Sequence, residues 1–267
     1  MKEAKGIGLP EVQEVYCGPE GELWELIMGE QIHIGGLSSS LDLAEKAGIP
    51  AGSSGIDLCC CSGAGMRFLL RFRSVAKMHG IDATAKVIEM GRSRCAKAGV
   101  NERVSFTLAD ACESGLPSEA FDFSWGEDAW CYVADKKKLV SEAVRLVKKG
   151  GSIAFTDWVE GNPKLSADEA SRYLRFMKFP NVLSIEEYSG LLEANGCIVE
   201  HTENTGRFAP SIDLYLEMLG KQLSFDALRI IGFNAALMQS LQEEMLFMRS
   251  LAHSGKIAQG LFVARKK

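Results

Sequence analysis

Gly55-Ile56-Asp57-Leu58-Cys59-Cys60-Cys61-Ser62-Gly63-Ala64-Gly65-Met66 decides the fold. A short apolar strand runs into a turn holding a glycine, then into a helix with Met66, Leu69 and Leu70 on one face. The same unit recurs downstream. A second strand around Ala76 to Ile81 ends at Asp82, and Thr84 is placed to cap a helix running towards Ala98, where Gly99 stops it. Val104 to Leu108 and Phe121 to Trp125 read as strands three and four. Asp135 caps a helix carrying Val140, Val144 and Val147, which Gly150-Gly151 ends before the fifth strand, Ser152 to Trp158. Strands alternating with helices over residues 54 to 158 predict a parallel sheet covered on both faces.

Beyond residue 160 the rhythm changes. Ser184-Ile185-Glu186-Glu187 is a capping box ahead of Tyr188, Leu191 and Leu192, and Gly196 ends that helix. Cys197 to Thr202 and Ile257 to Ala264 read as two more strands, separated by a Met- and Leu-rich stretch too long for a plain connection. The expectation is an α/β protein with a Rossmann-like, seven-stranded, mostly parallel sheet. Residues 1–50 form an N-terminal helical segment, and 51–267 the main domain with a helical insertion at about 205–253.

Composition narrows the function. Thirty Lys plus Arg against thirty-five Asp plus Glu leave a net charge of −5 over 267 residues, so neither nucleic acid nor an anionic membrane is an expected partner. No apolar run approaches the roughly 18 residues of a membrane span, and Met1-Lys2-Glu3-Ala4-Lys5 does not lead into a signal-peptide core. The expected location is cytoplasmic, with assembly into a homo-oligomer left open. The eight cysteines show neither paired zinc spacing nor disulfide-scaffold density, so no metal site is expected.

In an open parallel sheet the ligand lies beyond the carboxyl ends of the strands. Asp57, Asp82, Asp110, Glu127-Asp128 and Asp157 fall at such ends, an acid set suited to hydroxyls, an amine and a positive charge rather than a pyrophosphate. As a nicotinamide fingerprint, Gly63-Ala64-Gly65-Met66-Arg67-Phe68 lacks the third glycine.

Ile56-Asp57-Leu58-Cys59-Cys60-Cys61-Ser62-Gly63, Gly80-Ile81-Asp82, Leu108-Ala109-Asp110-Ala111 and Arg145 to Gly151 together resemble, in order, the motifs of class I S-adenosylmethionine-dependent methyltransferases. Ile32-His33-Ile34-Gly35-Gly36, the stretch Phe121 to Asp135 and the ending Gly255 to Lys267 are similar to sarcosine/dimethylglycine N-methyltransferases. The resemblance implies S-adenosylmethionine as cofactor. Asp82, with Ala83, would hold the ribose hydroxyls; Asp110 and Ala111 the adenine; Asp57 and the turn Cys59, Cys61 and Gly63 the methionine part; and Glu127 would lie near the methyl group. The chain departs from the family at Cys59 and Cys61, which stand where the turn usually has glycine, and at Tyr132, where relatives often have His.

Trp24, Trp130 and Trp158 are expected around the acceptor, because aromatic faces attract methylated ammonium groups by roughly 0.5 to 2 kcal/mol each. Methyl transfer to an amine needs an unprotonated nitrogen in line with the methyl, and His33, Asp128 and Tyr132 are the candidates for taking the proton. Arg67, Arg172, Arg175 and Arg207 are candidates for a substrate carboxylate. The expected activity is methylation of a small amine such as sarcosine or dimethylglycine. The alternatives are a quinol, phenolic or phosphobase acceptor, with Met218 to Met248 lining a larger apolar pocket, or a related binding protein without activity.

Overall fold

The computed structural model describes residues 2–267. The chain begins with β1 (Lys2–Glu3), α1 (Leu9–Cys17), α2 (Pro19–Met28) and α3 (Gly36–Lys46). The alternating region follows as β2 (Ser54–Leu58), α4 (Ala64–Phe72), β3 (Lys77–Asp82), α5 (Ala85–Lys97), β4 (Val104–Leu108), β5 (Phe121–Glu127), α6 (Lys136–Leu146) and β6 (Val147–Glu160). Then come α7 (Ala167–Met177), β7 (Asn181–Val182), α8 (Ile185–Ala194), β8 (Cys197–Asn204), the cap helices α9 (Phe208–Gly220), α10 (Ser224–Ile230) and α11 (Ala235–His253), and β9 (Ile257–Lys266).

Seven strands form one sheet in the order β4-β3-β2-β5-β6-β9-β8. The first five are parallel, and β9 runs antiparallel between β6 and β8. Strands are added in one direction from β2 to β4 and in the other from β5 onward. The carboxyl ends of β2 and β5 therefore border the crevice where a ligand can reach between helices. The small β1–β7 ribbon, antiparallel and separate from the sheet, has no sequence signal at two residues a strand.

Capping follows the sequence in two places: Asp135 accepts from the Lys138 amide at 3.0 Å, and Ser184 and Glu187 bond each other's amides at 3.3 and 2.8 Å. Thr84 precedes α5, but its side chain makes no capping bond. The sixth helix is shorter than the Val140/Val144/Val147 spacing suggests, because Val147 already pairs with Phe121 as the start of β6. Gly151 permits that early start: a Cβ there would lie 2.4 Å from the Asp122 carbonyl.

The sheet separates two cores, one under α3, α4 and α5 with Met66, Leu69 and Leu70, the other under α6 and α8 with Val140, Val144 and Tyr188. A third core joins α1, α2 and α7 to the cap helices through Trp24, Trp158, Tyr173 and Met248. Trp130 is fully buried in the second core, stacked on Phe155 at 4.0 Å between ring centroids, with Phe262 on the same ring at 4.5 Å. Among the described residues no helix is long and apolar enough to cross a membrane.

Candidate functional site

Three cavities meet at the crevice. The largest, about 240 Å³, is lined by Leu9, Val12 and Tyr16 of α1, Asp82 and Ala83 after β3, Asp110 and Ala111 after β4, and Tyr132. Through Tyr16, Cys59, Cys61 and Ala129 it shares walls with a second of about 50 Å³, which holds Asp57, Gly65, Glu127, Gln31 and His33. A third of about 20 Å³ lies against Tyr16, Trp24, His33, Asp128, Tyr132 and Trp158. His33 and Asp128 line both the second and the third.

The turn after β2 carries the floor of the first two. Cys59 and Cys61 have φ of +63° and +45°, left-handed backbone that costs a residue with a side chain about 1–2 kcal/mol. The turn is pinned: the Cys61 amide donates to Asp82 Oδ2 at 2.9 Å and the Thr84 amide to Oδ1 at 2.9 Å. Burial raises the proton affinity of Asp82, and these amide bonds oppose that rise. Burial, with Asp82 next, pushes the Cys61 thiol up to about 12 and the Cys59 thiol well above the usual range. Both thiols therefore favour the protonated form. Gly63 lines none of the three cavities; at φ +71° it starts α4 and lies against Phe106.

The second cavity is a cradle of acids. A Cβ built on Gly65 would lie 2.6 Å from Glu127 Oε2, 2.9 Å from Trp125 Nε1 and 3.3 Å from Asp57 Oδ2. Trp125 Nε1 is buried without a partner. Asp57 holds its proton well above the usual aspartate range, through burial first and then the facing Glu127 and Asp82. A cationic ligand group here would relieve that repulsion, and Asp82 and Asp110 keep lone pairs for hydroxyl and amino donors. This donor set fits S-adenosylmethionine: Asp57 and Glu127 would hold its ammonium, and Asp82 and Asp110 its adenosine.

His33 stands at the junction. Its Nε2 is 3.3 Å from Gln31 Oε1, 3.2 Å from Ser40 Oγ and 3.3 Å from Glu127 Oε1. Ser40 gives its own proton to Glu127 at 2.6 Å, and Gln31 uses its amide nitrogen on the Ala64 carbonyl. All three neighbours of Nε2 are thus acceptors, which places a ring proton on Nε2; in the neutral imidazole the lone pair is then on Nδ1. That Nδ1 is buried and has no hydrogen-bond partner.

The other two proton-transfer candidates are differently engaged. Asp128 accepts from the Ile34 amide at 2.8 Å and from Gln259 Nε2 at 3.0 and 2.9 Å, fastening the N-terminal segment to β5 and β9. Burial raises its proton affinity, offset by His33 and these bonds. Tyr132 packs edge-on to Tyr16 and Phe179, and burial holds its hydroxyl well above the usual phenol range, so it keeps its proton and is unsuited to act as a base.

Of the tryptophans, Trp24 and Trp158 meet edge to face at 6.5 Å on the wall of the third cavity. Trp130 does not line it. The 3₁₀ turn Trp130–Tyr132 turns the indole under the sheet, into space left by Gly126, whose Cβ would lie 2.5 Å from Trp130 Nε1. The four arginines are also elsewhere: Arg67 binds Glu30 and the Ser62 carbonyl, Arg207 binds Asp42, Arg172 binds Glu244, and Arg175 lies beside Arg172 in an outer groove. Sequence reasoning did not find Tyr16, Gln31 and Ser40. The last two lie two residues before and seven after His33, and only the fold brings Ser40 to Glu127, 87 positions away.

Comparison with known proteins bears on family and fold. Residues 56–155 match the methyltransferase domain family. The 2-methyl-6-phytyl-1,4-hydroquinone methyltransferase of Synechocystis sp. is 24% identical over 225 residues, 75% of this chain and 69% of that protein. The dimethylglycine N-methyltransferase of Parasynechococcus marenigrum is 28% identical over 144 residues, 48% of this chain and half of that protein. Haemonchus contortus phosphoethanolamine N-methyltransferase 2, solved with phosphomonomethylethanolamine and S-adenosylhomocysteine, superimposes with a TM-score of 0.82 at 21% identity. That alignment covers 94% of this chain and 58% of the other, and it shows a shared fold.

Proposed function

We propose that this chain, an S-adenosylmethionine-dependent methyltransferase, methylates the hydroxyl of an uncharged small acceptor beside Trp24, Trp158 and Tyr132, whose cavity of about 20 Å³ widens to admit it, with His33 taking the proton. The carrying observation is the buried, unpartnered Nδ1 of His33 at the wall common to the acid cradle and the aromatic cavity. The bound cofactor supplies an electrophilic methyl group. The protein aligns the acceptor oxygen behind that methyl, which can account for roughly 7–11 kcal/mol of a barrier. As the oxygen becomes nucleophilic, its proton passes to Nδ1, and the imidazolium is stabilised through Nε2–H by Glu127, itself held by Ser40. Asp128 positions the loop bearing His33 by holding the next residue's amide.

A second reading, methylation of sarcosine or dimethylglycine, is favoured by the aromatic faces of Trp24 and Trp158 and by the dimethylglycine relative. It has to seat a carboxylate, and no Lys or Arg lines the aromatic cavity.

Transfer of labelled methyl to phenols, hydroquinones, sarcosine and dimethylglycine tests both readings. Turnover of a phenol or hydroquinone is expected, falling about 10²- to 10⁴-fold in His33→Asn while S-adenosylhomocysteine still binds. Turnover confined to the methylated glycines establishes the second reading; an undiminished His33→Asn removes His33 from the chemistry.

A further inference from the structure

A fourth cavity, of about 250 Å³, lies inside the cap between α2, α9, α10 and α11. Leu23, Ile27, Leu216, Leu219, Leu241 and Met245 make most of its wall; Glu20, Ser224 and Gln242 are the polar exceptions, and no Lys or Arg contributes. It is separate from the cofactor crevice. Its connection is Trp24, whose side chain lines this cavity and also the aromatic cavity beside His33. The helix α2 thus presents Trp24 and Met28 to the reacting centre and Leu23 and Ile27 to the cap.

The outer side of the cap is also apolar. Phe225 and Phe233 are 65% and 58% exposed and meet edge-on at 5.8 Å, with Leu237 beside them in sequence at 40% exposed. They lie on or next to α10 and α11, whose Ala227, Leu228 and Met238 line the cavity. A concave apolar wall with few polar groups selects an alkyl or prenyl chain rather than a charged or sugar-bearing ligand.

We propose that the cap cavity holds the apolar chain of the acceptor, with Trp24 as the partition past which the chain runs from its reacting head at His33. This rests on the acceptor site proposed above and adds the substrate class: a hydroxylated head carrying an aliphatic tail. Leu219 offers a way to close the cavity. It lines the wall near the end of α9 and is partly buried against the cap core, so Leu219→Trp adds bulk at the tail site.

The test is calorimetric titration of 4-alkylphenols of increasing chain length into the full chain saturated with S-adenosylhomocysteine. Affinity is expected to rise roughly fourfold per added methylene until the cavity is full. In Leu219→Trp the slope is expected to fall sharply while S-adenosylhomocysteine affinity and melting temperature hold, which shows that the fold is intact. A wild-type affinity independent of chain length, or an unchanged slope in Leu219→Trp, overturns the assignment. Chain-length-dependent binding without any methyl transfer keeps the tail site and rejects the hydroxyl acceptor. Methylation of short phenols with no gain from the chain does the reverse.

Discussion

Gly65→Ala is the sharpest test of the acid cradle. In a helix, alanine in place of glycine is ordinarily worth about 0.5–1 kcal/mol of stability. Here the new methyl carbon would sit 2.6 Å from Glu127 Oε2 and 2.9 Å from Trp125 Nε1, both inside contact distance. Trp125 is fully buried and has nowhere to move. Glu127 can retreat only by loosening its bonds from Ser40 and His33. Overpacking costs about 1–3 kcal/mol, and a hydrogen bond to a charged group is worth about 1.5–3 kcal/mol. The loss exceeds the helical gain, leaving a net destabilisation of about 2 kcal/mol, or a melting temperature lower by roughly 4–8 °C. With the ligand's ammonium placed at Glu127 and at Asp57, whose Oδ2 would lie 3.3 Å from the new carbon, S-adenosylhomocysteine should bind at least about tenfold more weakly, equivalent to 1.4 kcal/mol. Differential scanning calorimetry and isothermal titration measure both. A variant with wild-type melting and affinity would show that neither Glu127 nor the cofactor's methionine end occupies this place.

Three other outcomes follow from the same geometry. Cys59→Gly and Cys61→Gly relieve left-handed strain of about 1–2 kcal/mol against about 0.5–1 kcal/mol of added chain freedom. Each should raise the melting temperature slightly and bind S-adenosylhomocysteine no more weakly; a drop of several degrees would contradict the strain. Gly190→Ala, inside α8 with open space at the Cβ, should stabilise by about 0.5–1 kcal/mol, and a loss in thermal melting would count against the helix assignment. Asp57 has a raised folded-state pKa, so its contribution to stability is complete below the ordinary aspartate range and is lost as pH rises through the raised value. A bound ammonium favours the ionised form, so S-adenosylhomocysteine should bind more tightly as pH rises through the acid range and release protons on binding. Titration in buffers of different ionisation heat detects this, and the absence of proton release would place the ammonium elsewhere.

The alternating part of the fold was legible because each strand ends in a chemical mark: Asp57 within the first, Asp82 closing the second, Glu127 the fourth. Period and punctuation carry local information, and the parallel units are local. What they could not carry was direction of packing. Trp130 follows β5 by three residues, as a rim residue would, yet Asp128 at φ +51° bends the chain and the indole goes under the sheet. Tyr16 and Ser40 belong to helices whose sequence reads as ordinary amphipathic packing, and only tertiary contact with Tyr132 and Glu127 gives them a place at the site. The cap cavity was foreshadowed by the Met-rich stretch, but its connection through Trp24 required the fold.

The position of β9 sets the order in which the molecule can be made. Its residues pair with β6 across 113 positions, as Arg265 does with Ser152, and β8 has β9 as its sole neighbour in the sheet. While the chain leaves the ribosome, the five parallel strands can assemble early, but β6 keeps an open edge and β8 stays unpaired until the three cap helices have been synthesised. Closure of the sheet and seating of the cap are then one late event, slow because its contacts are so distant in sequence. Gln259 on that strand also holds Asp128. The loop bearing His33 is therefore locked only after β9 has been synthesised and paired.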